Sequence, residues 1–218
     1  MAPPLDRSIY LASRSPRRRE LLAHIGVRFH LLLFRALPAS DPEVSEAPRA
    51  GETPRQYVMR VARAKAAAGW QRLLQRRLPQ APVLAADTAV ALGEHIFCKP
   101  LDRREAAAML AALAGRRHEV LTAVALSYGS RLESALSVSD VEFRQLAASE
   151  IEDYVASGEC DDKAGAYAIQ GRAARFVVEI RGSHSGIVGL PLFETAQLLE
   201  RMDASPDRRE ATGTLRPH

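Results

Sequence analysis

The chain has 218 residues, enough for one large domain or two small lobes with a real core, and its 47% apolar and 26% charged content is that of a water-soluble globular protein. No apolar run approaches the ~18 residues of a membrane span, and the first residues lack the apolar segment of an export signal, so the expected location is the cytoplasm and no membrane partner is expected. Two cysteines, Cys98 and Cys160, form no CxxC pair, which argues against structural zinc and a disulfide framework.

The net charge of +4 says less than its makeup: of 30 basic residues only Lys65, Lys99 and Lys163 are lysine. Arginine evidently supplies bland surface charge here. Each lysine is then either a leftover on that surface or a place where a compact ammonium is wanted, as against a phosphate oxygen in a tight site.

In chain order, a short apolar strand ends at Ala12, and Ser15 and Pro16 suit the cap and first turn of a helix. Arg17, Arg18 and Arg19 then crowd the positive end of that helix, where each cation costs about 0.3–1 kcal/mol. Backbone N–H groups there would point at a phosphate, so the arginines are misplaced for stability and well placed for anions. A strand over 27–33 leads into a Pro-punctuated loop over 35–52, which carries the lone acid Glu46. Thr53, Pro54 and Gln56 form a capping-box start. The helix they open is predicted to reach about Leu78, with Val58, Val61, Ala62, Lys65 and Ala66 on one side. That places the Lys65 stem in partly buried surroundings, as for a snorkelling lysine or a ligand-facing one.

Residues 82–92, PVLAADTAVAL, read as a buried strand interrupted by Asp87 and Thr88. An ionised carboxylate there is expensive unless it is paired, metal-bound or bonded to nearby backbone, whereas Thr88 alone is only a good β-former. Lys99 is held extended by Pro100. Asp102 and Glu105 start a helix that ends at Gly115. A β-hairpin turning at 128–130 follows, then a helix over 149–158 and a polar loop, DDKAGAYAIQG, with Lys163 and Gln170. A strand RFVVEI, the segment GSHSGIVGLPL and a last helix over 193–202 close the fold. His118 and His184 fit no metal spacing and read as core or surface histidines. The sum is an α/β protein with a central mixed β-sheet flanked by helices. Residues 1–203 are predicted as a single domain and 204–218 as a disordered tail.

SRSPRRRELL, the isolated Glu46, ARAKAAA, AADTAVAL, the Lys-Pro at 99–100, HEVLTAVAL, YVASGECDDKAGAYAIQG and GSHSGIVGLPLFET stand together in the order and spacing of the Maf family. The resemblance covers about residues 8 to 202 and implies a two-lobed fold with a substrate cleft. It implies a nucleoside triphosphate pyrophosphatase that cleaves between the α and β phosphates, with Mg²⁺ or Mn²⁺ as cofactor. Carried over by position, Asp87 becomes the group that activates water, a metal ligand, or both, and Glu46 helps hold the metal. Ser13, Arg17 and Arg18 line the phosphate site, Lys65 and Lys99 lie along the triphosphate, and Lys163 joins the substrate-binding set. DKAGAYAIQG resembles the branch acting on dTTP and UTP, whose specificity positions Arg17, Thr88 and Gln170 match. The amide of Gln170 both donates and accepts, which suits the O4 and N3–H edge of uracil or thymine. A homodimer is expected by analogy.

Some positions depart from the family pattern. Ser45 stands where an aspartate commonly precedes the glutamate, the loop before Glu46 is long, Ala89 and Ala91 replace β-branched residues, and Cys98 replaces a glycine and is expected to sensitise the site to oxidation. Competing readings are the sister branch acting on 7-methyl-GTP, a nucleic-acid-binding module gripping phosphates through its arginines, and a non-catalytic partner of the division machinery.

Overall fold

The computed structural model describes residues 8–33 and 44–203. The expected tail beyond Asp203 and part of the loop before Glu46 lie outside them. In chain order the elements are β1 (Ile9–Leu11), α1 (Pro16–His24), β2 (Phe29–Leu31), α2 (Pro54–Gln75), β3 (Val83–Leu92), β4 (His95–Phe97) and α3 (Arg103–Leu113). They continue with β5 (Arg117–Tyr128), β6 (Arg131–Phe143), α4 (Ala148–Ala156), β7 (Val177–Arg181), α5 (His184–Val188) and α6 (Leu192–Asp203).

Among the described residues the strands form one seven-stranded sheet in the order β2-β1-β3-β5-β6-β7, with β4 also joined to β3. β1 runs parallel to β2 and β3, whereas β3, β5, β6 and β7 pair antiparallel in succession. The mixed sheet expected from the sequence is therefore present, and its hairpin turns at Gly129 and Ser130 as read.

Alternation along β3 sorts the core. Val83, Ala85, Ala89 and Ala91 pack with Val58, Val61, Ala62, Ala66 and Leu73 of α2 on one face. On the other face Leu84 and Ala86 pack with Leu22 of α1 and Leu198 of α6, while Val90 packs with Leu110 of α3 and Tyr154 of α4. That second face thus carries two separate apolar clusters, and the middle of β3 lies between them.

Thr53 caps α2 as predicted: its hydroxyl accepts from Gln56 N–H at 3.3 Å and the Gln56 side chain returns the bond at 3.0 Å. The helix stops at Gln75, earlier than expected. Arg77 takes φ 49° and Leu78 N–H bonds the Leu73 carbonyl at 3.1 Å, a helix-ending motif built without the usual glycine. β2 is also shorter than predicted. The unassigned GSHSGIVGLPL contains α5, whose cap Ser183 accepts from Gly186 N–H at 3.0 Å.

Candidate active site

The sheet is open where the chemistry sits. β1 leaves β3 after Leu11 pairs with Leu84, and β4 joins the same edge only from Val90 onward. Residues 86–89 therefore have a strand partner, β5, on one side alone. Asp87 and Thr88 occupy this gap with side chains on opposite faces, both bordering a cavity of about 480 Å³. Asp87 was read as interrupting a strand, and it lies mid-strand rather than at an end.

On the α2 face the Lys65 ammonium is held between two carboxylates. It lies 2.7 Å from Glu46 Oε1 and 2.8 Å from Asp87 Oδ1. Lys99 stands 3.7 Å from the other Glu46 oxygen. Burial works to raise the Glu46 pKa, but Lys65, then Lys99 and Arg18, hold it below the ordinary value. Its backbone is fixed too, because the Tyr57 hydroxyl donates to the Glu46 carbonyl at 2.8 Å. Glu46 is thus held against both Lys65 and Lys99.

On the other face Arg18 takes the place of the missing strand. One guanidinium nitrogen donates to the Ala86 carbonyl at 2.8 Å, Nε donates to the Gly189 carbonyl at 2.7 Å, and the third nitrogen reaches Thr88 Oγ1 at 3.3 Å. Ser13 Oγ lies 3.4 Å away. Burial lowers the Arg18 pKa and Asp87 opposes that pull, so charge is retained in a site where it is costly. The first turn of α1 contains no acid, and its cap Ser15 makes no side-chain cap bond. Ser15, Pro16, Arg17 and Arg18, the start of this helix, all line the cavity.

Among the described lining residues six are cations, namely Arg14, Arg17, Arg18, Lys65, Lys99 and Lys163, against the acids Glu46, Asp87 and Asp162. Lys163 lies at the rim with Nζ 2.9 Å from the Asp161 carbonyl, and burial with Arg17 nearby lowers its pKa. The structure thus gathers Ser13, Arg17, Arg18, Glu46, Lys65, Asp87, Thr88, Lys99 and Lys163 around one space. Gln170 is not among them. The chain turns after Ala168, with Gly171 N–H bonded to the Ala168 carbonyl at 3.0 Å, and carries Gln170 out to solvent. The sequence could not show this, because one residue of turn decides which way the amide faces.

Cys98 does not line the cavity, and burial raises its thiol pKa, contrary to the expected oxidation sensitivity. His118 is a core residue bonded to the Tyr167 hydroxyl at 2.9 Å, and burial lowers its pKa to about 4. His184 is exposed.

Among the described residues no group of three or more His, Cys, Asp or Glu side chains forms a metal cage. The donor set nonetheless suits Mg²⁺ or Mn²⁺, which bind through one or two carboxylates plus substrate phosphates. Asp87 Oδ2 is buried with no hydrogen-bond partner, an acceptor that a cation beside Glu46 would satisfy.

A family profile described as Maf-like protein matches residues 8–202. The chain belongs to that family. This Maf-like chain is 59% identical over 198 residues to the dTTP/UTP pyrophosphatase of Aromatoleum aromaticum, covering 90% of this chain and 96% of that one. It is 52% identical over 205 residues to the dTTP/UTP pyrophosphatase of Nitrosomonas europaea, covering 94% and 99%. Among solved structures, the Staphylococcus aureus Ham1 protein overlays with a TM-score of 0.47 at 14% identity, covering 90% of this chain and 98% of that one.

Proposed function

We propose that this chain hydrolyses dTTP and UTP to the nucleoside monophosphate and pyrophosphate. The observation that carries the reading is the Lys65 ammonium clamped by Glu46 and Asp87 in a cavity where cations outnumber acids. A triphosphate matches that excess, and the cavity lies within the ~300–1,000 Å³ range of small-molecule sites. The cations converge on one concave cavity instead of spreading over an open face, which favours a mononucleotide over a nucleic acid. The names carried by relatives at 50–60% identity point to the same substrates. Among the described residues no helix is long and apolar enough to cross a membrane.

In this reading Arg18, Ser13 and the first N–H groups of α1 bind phosphate oxygens, with Arg17, Lys99 and Lys163 along the chain of phosphates. Glu46 and Asp87 would hold Mg²⁺ or Mn²⁺, which when bound neutralises charge on the triphosphate and on the departing pyrophosphate. Asp87 keeps one oxygen on Lys65, so Oδ2 is the oxygen left either to join Glu46 on the metal or to take the proton of the attacking water. Water oxygen bonds to the α phosphorus, the bond from that phosphorus to the bridging oxygen breaks, and pyrophosphate leaves with the electron pair. Thr88, which lines the cavity, is placed to read the base, while Gln170 stands exposed outside it.

The test is pyrophosphate release from a panel of dTTP, UTP, CTP, GTP and 7-methyl-GTP with Mg²⁺ or Mn²⁺. Turnover of dTTP and UTP is expected, with kcat lowered about 10³-fold or more by Asp87→Asn. No turnover of any nucleotide would refute the reaction. Preference for 7-methyl-GTP would refute the substrate assignment, and an active Asp87→Asn would refute the role of that residue.

A further inference from the structure

Behind Thr88 lies a hydroxyl that the reading above does not use. Thr122 sits on β5 directly opposite Thr88 in the sheet register and is fully buried. Its Oγ1 lies 2.7 Å from the Gly186 carbonyl and 2.9 Å from Thr88 Oγ1. A carbonyl oxygen can only accept, so at 2.7 Å the single proton of Thr122 must lie on that contact. Thr122 has then nothing left to donate to Thr88. In the contact between the two hydroxyls Thr88 is therefore the donor, and its own single proton is committed to the protein interior.

The chain of bonds accordingly runs one way: Arg18 to Thr88, Thr88 to Thr122, Thr122 to Gly186. Arg18 closes the loop by donating to Gly189, three residues beyond Gly186. A Cβ built on Gly189, where φ is +127°, would sit 3.6 Å from Thr88 Oγ1 and 3.7 Å from Arg18 Nε, so backbone itself packs against this pair. Thr88 has no freedom to turn its proton outward without breaking a buried bond. With one lone pair taken by Arg18, what its oxygen offers the cavity is the other lone pair only.

We propose that Thr122 is a positioning residue that fixes Thr88 as an obligate acceptor, and that this polarity selects uracil and thymine over cytosine. The inference rests on the dTTP/UTP reading of the cavity. Uracil and thymine carry a donor at N3–H, which an acceptor-only oxygen matches. Cytosine carries an acceptor at N3 and its donor at N4, so with Thr88 facing ring position 3 two acceptors meet there and both are left unpaired. Sites that read a donor in this way reject the wrong partner far more strongly than apolar pockets do. Thr122 touches no substrate. It acts through the hydroxyl of its neighbour.

The experiment compares kcat and KM for UTP and CTP in the wild type, Thr122→Val and Thr122→Ser. Wild type is expected to favour UTP over CTP by about tenfold or more in kcat/KM, the value of one mismatched buried hydrogen bond. In Thr122→Val the Thr88 proton is released and can turn towards cytosine N3, so the ratio is expected to shrink to about threefold or less, mainly through a lower KM for CTP. Thr122→Ser restores the hydroxyl and is expected to restore the ratio. A wild type that turns over UTP and CTP equally overturns the proposal. So does a Thr122→Val that loses activity on both by the same factor, the mark of a purely structural residue. If the valine variant does not fold, Thr122→Cys, whose thiol donates weakly, is read instead: an intermediate ratio supports the proposal and an unchanged ratio overturns it. A wild type inert on UTP and dTTP overturns the functional reading itself and this inference with it, a result distinct from activity without discrimination.

Discussion

Lys65→Met would show how much the site depends on its central charge. Methionine keeps most of the stem along α2 and removes the ammonium, leaving Glu46 and Asp87 beside each other without the group that bridges them. The Lys65 side chain is only 14% exposed, Asp87 9% and Glu46 26%, and the two contacts are 2.7 and 2.8 Å. Removing one partner of a buried pair costs about 3–5 kcal/mol, because a charge is left uncompensated, whereas an exposed pair is worth about 1 kcal/mol at most. Partial exposure of Glu46 puts the expectation near the low end, about 3 kcal/mol at pH 8. The pH dependence follows from the lowered pKa of Glu46. A carboxylate held below its ordinary value adds stability above that value, and the contribution is lost as pH falls through the folded-state pKa. The gap between wild type and variant should therefore be full at pH 7–8 and narrow below about pH 4–5. Urea unfolding followed by circular dichroism measures it at each pH. Millimolar Mn²⁺ is expected to raise the Tm of the variant more than that of the wild type, since the bare carboxylate pair is then the better cation site. A gap under about 1 kcal/mol at pH 8, or one that does not change on acidification, would refute the idea that Lys65 neutralises this pair.

Three other outcomes follow from the same geometry. Arg18→Lys keeps the charge but cannot span the Ala86, Gly189 and Thr88 oxygens, so kcat/KM for dTTP is expected to fall about 10–100-fold; full activity would mean that charge alone suffices. Gly165 has φ +68° and a Cβ there would meet Val90 side-chain atoms at 2.8 Å, whereas Gly129 has φ +59° and nothing within 4 Å. Gly165→Ala should lower stability by about 3 kcal/mol and Gly129→Ala by about 1 kcal/mol in the same urea assay, and equal losses would count against the contact with Val90. Cys98, whose thiol burial raises, should react with iodoacetamide at pH 7.5 more slowly than a free cysteine, and rapid labelling would contradict that environment.

What the sequence determined by itself was whatever depends on neighbours in the chain. The capping box of α2, the hairpin turn at 129–130 and the alternation of β3 are local rules of backbone and side-chain period. The misfit residues were legible too, because an acid in an apolar strand and three arginines at a helix start each carry a local cost that asks for a reason. Chain order with motif spacing was enough to place them in a family. The end of α2 was not legible, since its terminating turn uses Arg77 where a glycine would have signalled it.

Tertiary structure decided which faces meet. Only the sheet register shows that β1 and β4 leave 86–89 open, so that Asp87 reaches Lys65 on one face while Thr88 reaches Arg18 on the other. Only the turn after Ala168 shows that Gln170 points away. Thr122 was legible only as one letter of the HEVLTAVAL motif, a β-former in an apolar strand with no role of its own to read. Its meaning comes from Thr88 and Gly186, 34 and 64 residues away, and from the fact that one hydroxyl has one proton to give.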